Sequence, residues 1–305
     1  MDDLKKRSLT PSQWGLLFVI MAVTIGSVLY RVIVIGKLEQ TSALFIGIPA
    51  ILAIILAATP KAKSAKGGIV KGLTVALLLS GPLLGEGFIC VLMASPIFYI
   101  VGIGVGAIVD SNREGENSVV RSCVLLLLVP MSLEGVLPAL SFNRYETVQV
   151  SKIVSASAPD VERALSSAPR MGGRLPLYLR LRFPRPTLAS GTGLDIGATR
   201  TIHFAGGEGH PGDLVMRVSE GRPGYVRFEA VSDHSKVAHW LDWRSAEINW
   251  TPIDAQHTRV TWTLHFDRRL DPAWYFGPWE RYAVRLAAGY LIENNATPAA
   301  GGTGR

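Results

Sequence analysis

His257–Ile292 reads HTRVTWTLHFDRRLDPAWYFGPWERYAVRLAAGYLI, and this stretch decides the fold of the C-terminal half. Its first part alternates: Val260, Trp262, Leu264 and Phe266 fall on one face, Arg259, Thr261, Thr263 and His265 on the other. Side chains of a strand point to opposite faces in turn, so period two predicts a strand with one buried face. In the second part Trp279, Tyr282, Ala283, Leu286 and Tyr290 recur at three- and four-residue steps. That spacing predicts an amphipathic helix over Pro278–Ile292, with Pro278 in its first turn.

Further strands are predicted over Thr147–Ala156, Thr199–Phe204, Asp213–Ser219, Tyr225–Val231 and His239–Trp250, where β-branched and aromatic residues alternate between turn signals. Ser157 suits the N-cap of a short helix with Pro159 in its first turn and Val161 and Leu165 on its inner face. Strand, short helix, several antiparallel strands and a long terminal helix make an α+β layout. The long helix must cover the apolar face of the sheet. A curved sheet wrapped on one helix leaves a concave, mostly apolar pocket. Trp262, Phe266, Trp279, Tyr282 and Leu286 are the candidate lining residues.

VSKIVSASAPDVERAL from Val150, GLDIGATRTIHF from Gly193 and the closing stretch quoted above resemble the SRPBCC, or START-like, superfamily. The nearest branch is its bacterial polyketide cyclase/dehydrase-type members, here fused to a multi-span membrane region. The resemblance covers about residues 146–295 and is spread over the domain. It implies a helix-grip fold that holds a hydrophobic ligand, such as a lipid, sterol or polyketide. It carries no universal catalytic residue to transfer.

Residues 1–142 are different. Long apolar runs lie there, whereas six of the seven Trp and 18 of the 22 Arg follow residue 143. Only 18% of the chain is charged and mean hydropathy is +0.28, against about 25% charged in soluble domains. A helix needs roughly 20 apolar residues to cross a bilayer. The expected spans are Trp14–Ile35, Ser42–Ala58, Ile69–Val109 folded back between Ser80 and Gly87 to count as two, and Ser122–Leu140, making about five. An uncleaved first span fits its 22-residue length better than a signal peptide. Lys5, Lys6, Arg7, Lys61, Lys63 and Lys66 predict a cytoplasmic N-terminus, and the resemblance implies a bacterial inner membrane. Five spans then put the C-terminal domain outside; a re-entrant third region would return it to the cytoplasm. The domain expectation is a transmembrane region at 1–142, a ligand-binding domain at 143–295 and a flexible tail at 296–305.

Glu86 and Glu134 are the ionisable residues expected within membrane depth, either on a proton or substrate path or beside a bend. Leu177–Pro186 mixes Leu179, Leu181 and Phe183 with Arg180 and Arg182. It reads either as an edge strand with its Arg in water or as a membrane-facing flap.

Several classes are excluded. Two cysteines, Cys90 and Cys123, cannot make a disulfide framework. The six histidines show no metal spacing, and the glycines of GTGLDIG at 191–197 have the wrong spacing for a dinucleotide loop. The net charge of +7 is spread rather than striped, which argues against nucleic acid. No cofactor is implied. The function expected is membrane-anchored binding or carriage of a hydrophobic molecule or lipid. The alternative is a cyclase/dehydratase using a carboxylate or a His, such as His265 or His239 with Asp242. Transport through the apolar half is a third reading.

Overall fold

The computed structural model describes residues 11–30, 48–58, 62–84, 88–113, 134, 139, 141–181, 183–205 and 211–297. They form two compact units, Met1–Pro130 and Met131–Arg305.

The first unit is helical: α1 (Pro11–Tyr30), α2 (Ile48–Ala58), α3 (Ala65–Leu84) and α4 (Phe88–Arg113). The third apolar region does fold back, since α3 and α4 form an antiparallel hairpin. Asp110, near the end of α4, accepts from the backbone N–H of Ala65 (2.6 Å) and Lys66 (3.0 Å) and so caps the start of α3. Further along, the hydroxyls of Thr74 and Tyr99 meet at 2.8 Å. Gly102 and Gly106 let the helices approach, because a Cβ there would lie 2.2 Å from the Leu73 side chain and 2.5 Å from Lys66 Cα.

The five-span expectation is not supported. Among the described residues one helical stretch, Ile89–Ser111, is long and apolar enough to cross a membrane. The described part of α2 has 11 residues, and α3 carries Lys66 and Lys71 in its first two turns. Glu86 and nearly all of the fourth stretch, Ser122–Leu140, lie outside the described residues.

The second unit is a seven-stranded antiparallel sheet in the order β1-β7-β6-β5-β4-β3-β2, with a long terminal helix. Its strands are β1 (Tyr145–Val154), β2 (Arg185–Ser190), β3 (Thr199–Ala205), β4 (Gly212–Arg222), β5 (Tyr225–Asp233), β6 (Leu241–Pro252) and β7 (Thr258–Arg268). The chain's first strand pairs with its last, which brings α5 (Ala158–Ser166) and α6 (Ala273–Asn295) to the same sheet. The β7 alternation holds: Val260, Trp262, Leu264 and Phe266 are buried and their neighbours face outward. Ser157 caps α5 by accepting from Asp160 N, and Val161 and Leu165 are its buried residues. The glycine turn before β3 is structural. Gly191, Gly193 and Gly197 all have positive φ, and buried Arg200 donates to the carbonyls of Leu165, Gly191 and Gly193.

The terminal helix differs from expectation in start and in facing. It begins at Ala273, so Pro278 lies in its second turn. Its buried residues are Gly277, Glu280, Val284, Ala288, Gly289, Tyr290, Ile292 and Asn295. Trp279 and Tyr282 are 41% and 48% exposed. The helix packs on β1 and β7, with Tyr290 buried and the rings of Trp279 and Tyr282 on its flank. Tyr290 donates to the Met171 carbonyl (2.7 Å), and Tyr178 covers the rings of Trp279 and Tyr282.

Candidate functional site

The inner face of the sheet is built by alternation. Val148 and Val150 on β1, Leu264 and Phe266 on β7, Ala246 and Ile248 on β6, Phe228 and Ala230 on β5 and Met216 and Val218 on β4 make one apolar wall, which α6 covers along its β1–β7 side. Polar atoms are set into that wall. The indole N–H groups of Trp243 and Trp262 are buried without a hydrogen-bond partner, as are both carboxyl oxygens of Glu280 and Nε and Nη2 of Arg268. Buried polar groups are nearly always satisfied, so such a concentration marks a place rather than an accident.

Arg268 is 1% exposed on the last inner position of β7. Its Nη1 donates to the Leu270 carbonyl and to Asp271 Oδ1 (2.6 Å), and its Nη2 lies 3.7 Å from Glu134 Oε1. Glu134 thus meets partners far along the chain. It belongs to the second unit, where its carboxylate accepts from Ala273 N (2.9 Å) at the start of α6. A helix N-terminus and a buried guanidinium compensate that charge. Around them Arg144 pairs with Asp271, and Arg281 donates to Glu146 (2.8 Å). Burial pushes the Glu280 carboxyl up to about 8, with Arg268 and the Leu270 amide (outside hydrogen-bonding geometry) pulling the other way, and Glu146 and Asp271 pushing further up.

A collar of rings stands beside this end of the sheet. Tyr178, in a 3-10 turn at Tyr178–Arg180, stacks on Trp279 (6.4 Å) and meets Tyr282 (5.1 Å) and Phe183 (5.2 Å). Phe183 in turn meets Trp240 at 5.4 Å. Burial, with Tyr282 and Tyr275 nearby, pushes the Tyr178 phenol up to about 12. Leu177 and Leu181 are 75% and 44% exposed on the rim.

The sequence-derived candidates thus separate. Trp262 and Phe266 are in the buried wall; Trp279 and Tyr282 are in the collar; Leu286 is half-buried on the collar flank of α6. In the proposed flap, Leu179 and Phe183 are half-buried and Arg180 is exposed, while Arg182 lies outside the described residues. An edge strand does follow, but it starts only at Arg185.

Among the described residues neither His265 nor His239 is paired with Asp242. His265 faces outward, bonded to Tyr145 Oη (2.8 Å) and Thr147 Oγ1 (3.1 Å). His203 faces outward with Asp213 (2.6 Å), and Asp242 is engaged by Arg269 at 3.6 Å rather than by His239. Sequence reasoning missed Glu280, Arg268 and Trp243. A usable signal existed: the alternation of β7 continues to Arg268, an Arg at a position that should be buried.

No family model matches the chain, and no curated relative does. Solved structures match about half of it. An aromatase/cyclase from a Streptomyces species is 16% identical over 50% of this chain and 87% of that one, with a TM-score of 0.30. A major latex-like protein from Panax ginseng is 7% identical over 49% and 99%, at 0.30. Norcoclaurine synthase from Thalictrum flavum, in complex with dopamine and hydroxybenzaldehyde, is 13% identical over 50% and 88%, at 0.30. The helix-grip description rests on this chain's own strand order and terminal helix, not on likenesses at that level.

Proposed function

We propose that the second unit binds and carries a hydrophobic small molecule or lipid between its sheet and α6, and that the helical unit holds it at a bilayer. The observation that carries this reading is the buried indole pair, Trp243 and Trp262, whose N–H groups face the inner side unpartnered. A wall packed for stability alone uses side chains that ask for no partner. Buried indoles usually find one, so these two are suited to a molecule with an apolar body and an occasional acceptor. Apolar burial at about 25 cal/mol per Å² supplies the affinity. The collar of Tyr178, Phe183, Trp240, Trp279 and Tyr282 is the mouth, and exposed Leu177, Leu181 and Arg180 face the lipid surface. In this reading the protein sits in a bacterial inner membrane with its N-terminus cytoplasmic and the second unit extracytoplasmic. A second reading, cyclisation or dehydration by a carboxylate, is favoured by the inward carboxyl of Glu280.

The test is extraction and mass spectrometry of the full chain purified in detergent, beside Trp262→Arg and the milder Ala230→Phe, which adds a ring to the inner wall. An apolar molecule enriched in the wild type and depleted in both variants is the expected result. The same molecules at the same level in all three preparations would sink the reading.

A further inference from the structure

Among the described residues Glu280 is the one carboxyl of its neighbourhood that the surrounding charges leave over. Arg144, Arg268 and Arg281 stand against Asp271, Glu134 and Glu146, each within an ion pair. Three guanidiniums already balance three carboxylates. A fourth anion here, 6% exposed and with neither oxygen hydrogen-bonded, would be costly. The group is thus held as the acid, and an acid differs from a carboxylate in having an O–H to donate.

Its surroundings are donors too. Arg268 keeps two buried N–H positions outside any hydrogen bond. Trp243, whose ring meets Phe266 at 6.0 Å, lies opposite the inner residue next to Arg268 and adds a third. Trp279 of the collar immediately precedes Glu280, and the Trp240 carbonyl accepts from Arg269 N, so the mouth adjoins this cluster. Trp262 stands four residues along β7 from Phe266, the residue opposite Trp243, roughly 13 Å at strand rise. Between Trp243 and Trp262 the wall is apolar.

We infer that Glu280, Arg268 and Trp243 form a polar pole within the ligand site, which receives an uncharged oxygen, a ketone or a hydroxyl, carried by an otherwise apolar body that lies towards Trp262. This rests on the ligand-binding reading above and adds the chemical class. An acceptor oxygen satisfies the orphaned donors; a ligand carboxylate would bring a charge that the pole, already balanced, does not compensate.

Three probes with one apolar frame separate the possibilities: 2-acetylnaphthalene, 2-naphthoate and 2-ethylnaphthalene, titrated calorimetrically into the full chain in micelles with empty micelles as reference. The ketone is expected to bind about tenfold more tightly than either of the others, the worth of one hydrogen bond. Glu280→Leu removes that preference, and Glu280→Gln, which still donates, keeps it. In the wild type the preference fades above about pH 8 as the O–H is lost, whereas Glu280→Gln shows no such fading. Equal binding of all three, or tightest binding of the naphthoate, overturns the pole and leaves the ligand site standing. If no probe binds, the ligand site itself falls and the pole with it.

Discussion

The two faces of the sheet treat polar groups in opposite ways. On the outer face charges are partnered: Arg227 with Glu247 (3.2 Å), Arg244 with Asp267 (2.6 Å) and His203 with Asp213 (2.6 Å). Even the outer nitrogens lacking a hydrogen bond, Arg227 Nε and His265 Nε2, have a carboxylate oxygen at 3.6 and 3.3 Å. On the inner face Trp243, Trp262, Arg268 and Glu280 keep buried donors or acceptors outside any hydrogen bond, and of these Arg268 Nη2 has a carboxylate oxygen, Glu134 Oε1, at 3.7 Å. Satisfied groups hold a sheet together; unsatisfied ones cost stability and are kept for something else. The outer face is therefore structural, and the inner face is where function should be sought.

Truncation breaks this contrast most severely. Phe266→Ala removes a fully buried ring from the inner wall and is expected to cost about 3–5 kcal/mol of stability. Arg259→Ala, outward on the same strand, should stay within about 0.5 kcal/mol. Chemical unfolding of both variants is the check, and equal losses would mean that the inner face is not the core.

A smaller effect comes from protons. Glu280 keeps its proton to about pH 8 in the folded chain but releases it near 4.5 when unfolded. Across that window the folded state binds more protons, so this group's contribution to stability is lost as pH rises and levels off above 8. Glu280→Gln cannot ionise and should be more stable than the wild type by about 1–3 kcal/mol at pH 9, with little advantage at pH 5. Parallel stability curves for the two proteins would show that Glu280 is ordinarily ionised.

The sequence carried some of this contrast and not the rest. Period two in β7 assigned Trp262 and Phe266 to the buried wall because alternation survives whatever packs on it. In the helix stripe of Trp279, Tyr282, Ala283, Leu286 and Tyr290 the spacing gives one face but not its depth: Tyr290 is buried, while Trp279 and Tyr282 are exposed on the collar side. Gly277, Val284 and Ala288, none of them large, are among the residues α6 buries. Glu134 sits among apolar or small neighbours in sequence, Leu133, Gly135 and Val136, whereas its partners, Arg268 and Ala273, are more than 130 residues away. No local pattern encodes such a contact. The same holds for Glu280, whose chemistry follows from a charge balance assembled from four separate parts of the chain.

Two gentler changes sharpen the comparison. Trp243→Phe keeps the apolar ring and deletes the N–H; it should leave the fold intact and weaken 2-acetylnaphthalene by about tenfold in calorimetry. His265→Ala deletes an outer-face network, costing about 1 kcal/mol in unfolding with unchanged ligand affinity. A loss of affinity in His265→Ala would move the site to the other face.

The most direct test is fluorine NMR of the full chain with its seven tryptophans replaced by 5-fluorotryptophan, assigned by single Phe substitutions. Added 2-acetylnaphthalene is expected to shift the Trp243 and Trp262 resonances at saturation while Trp250, buried on the same sheet, stays in place. Saturable binding that leaves both of those signals unmoved would contradict the account.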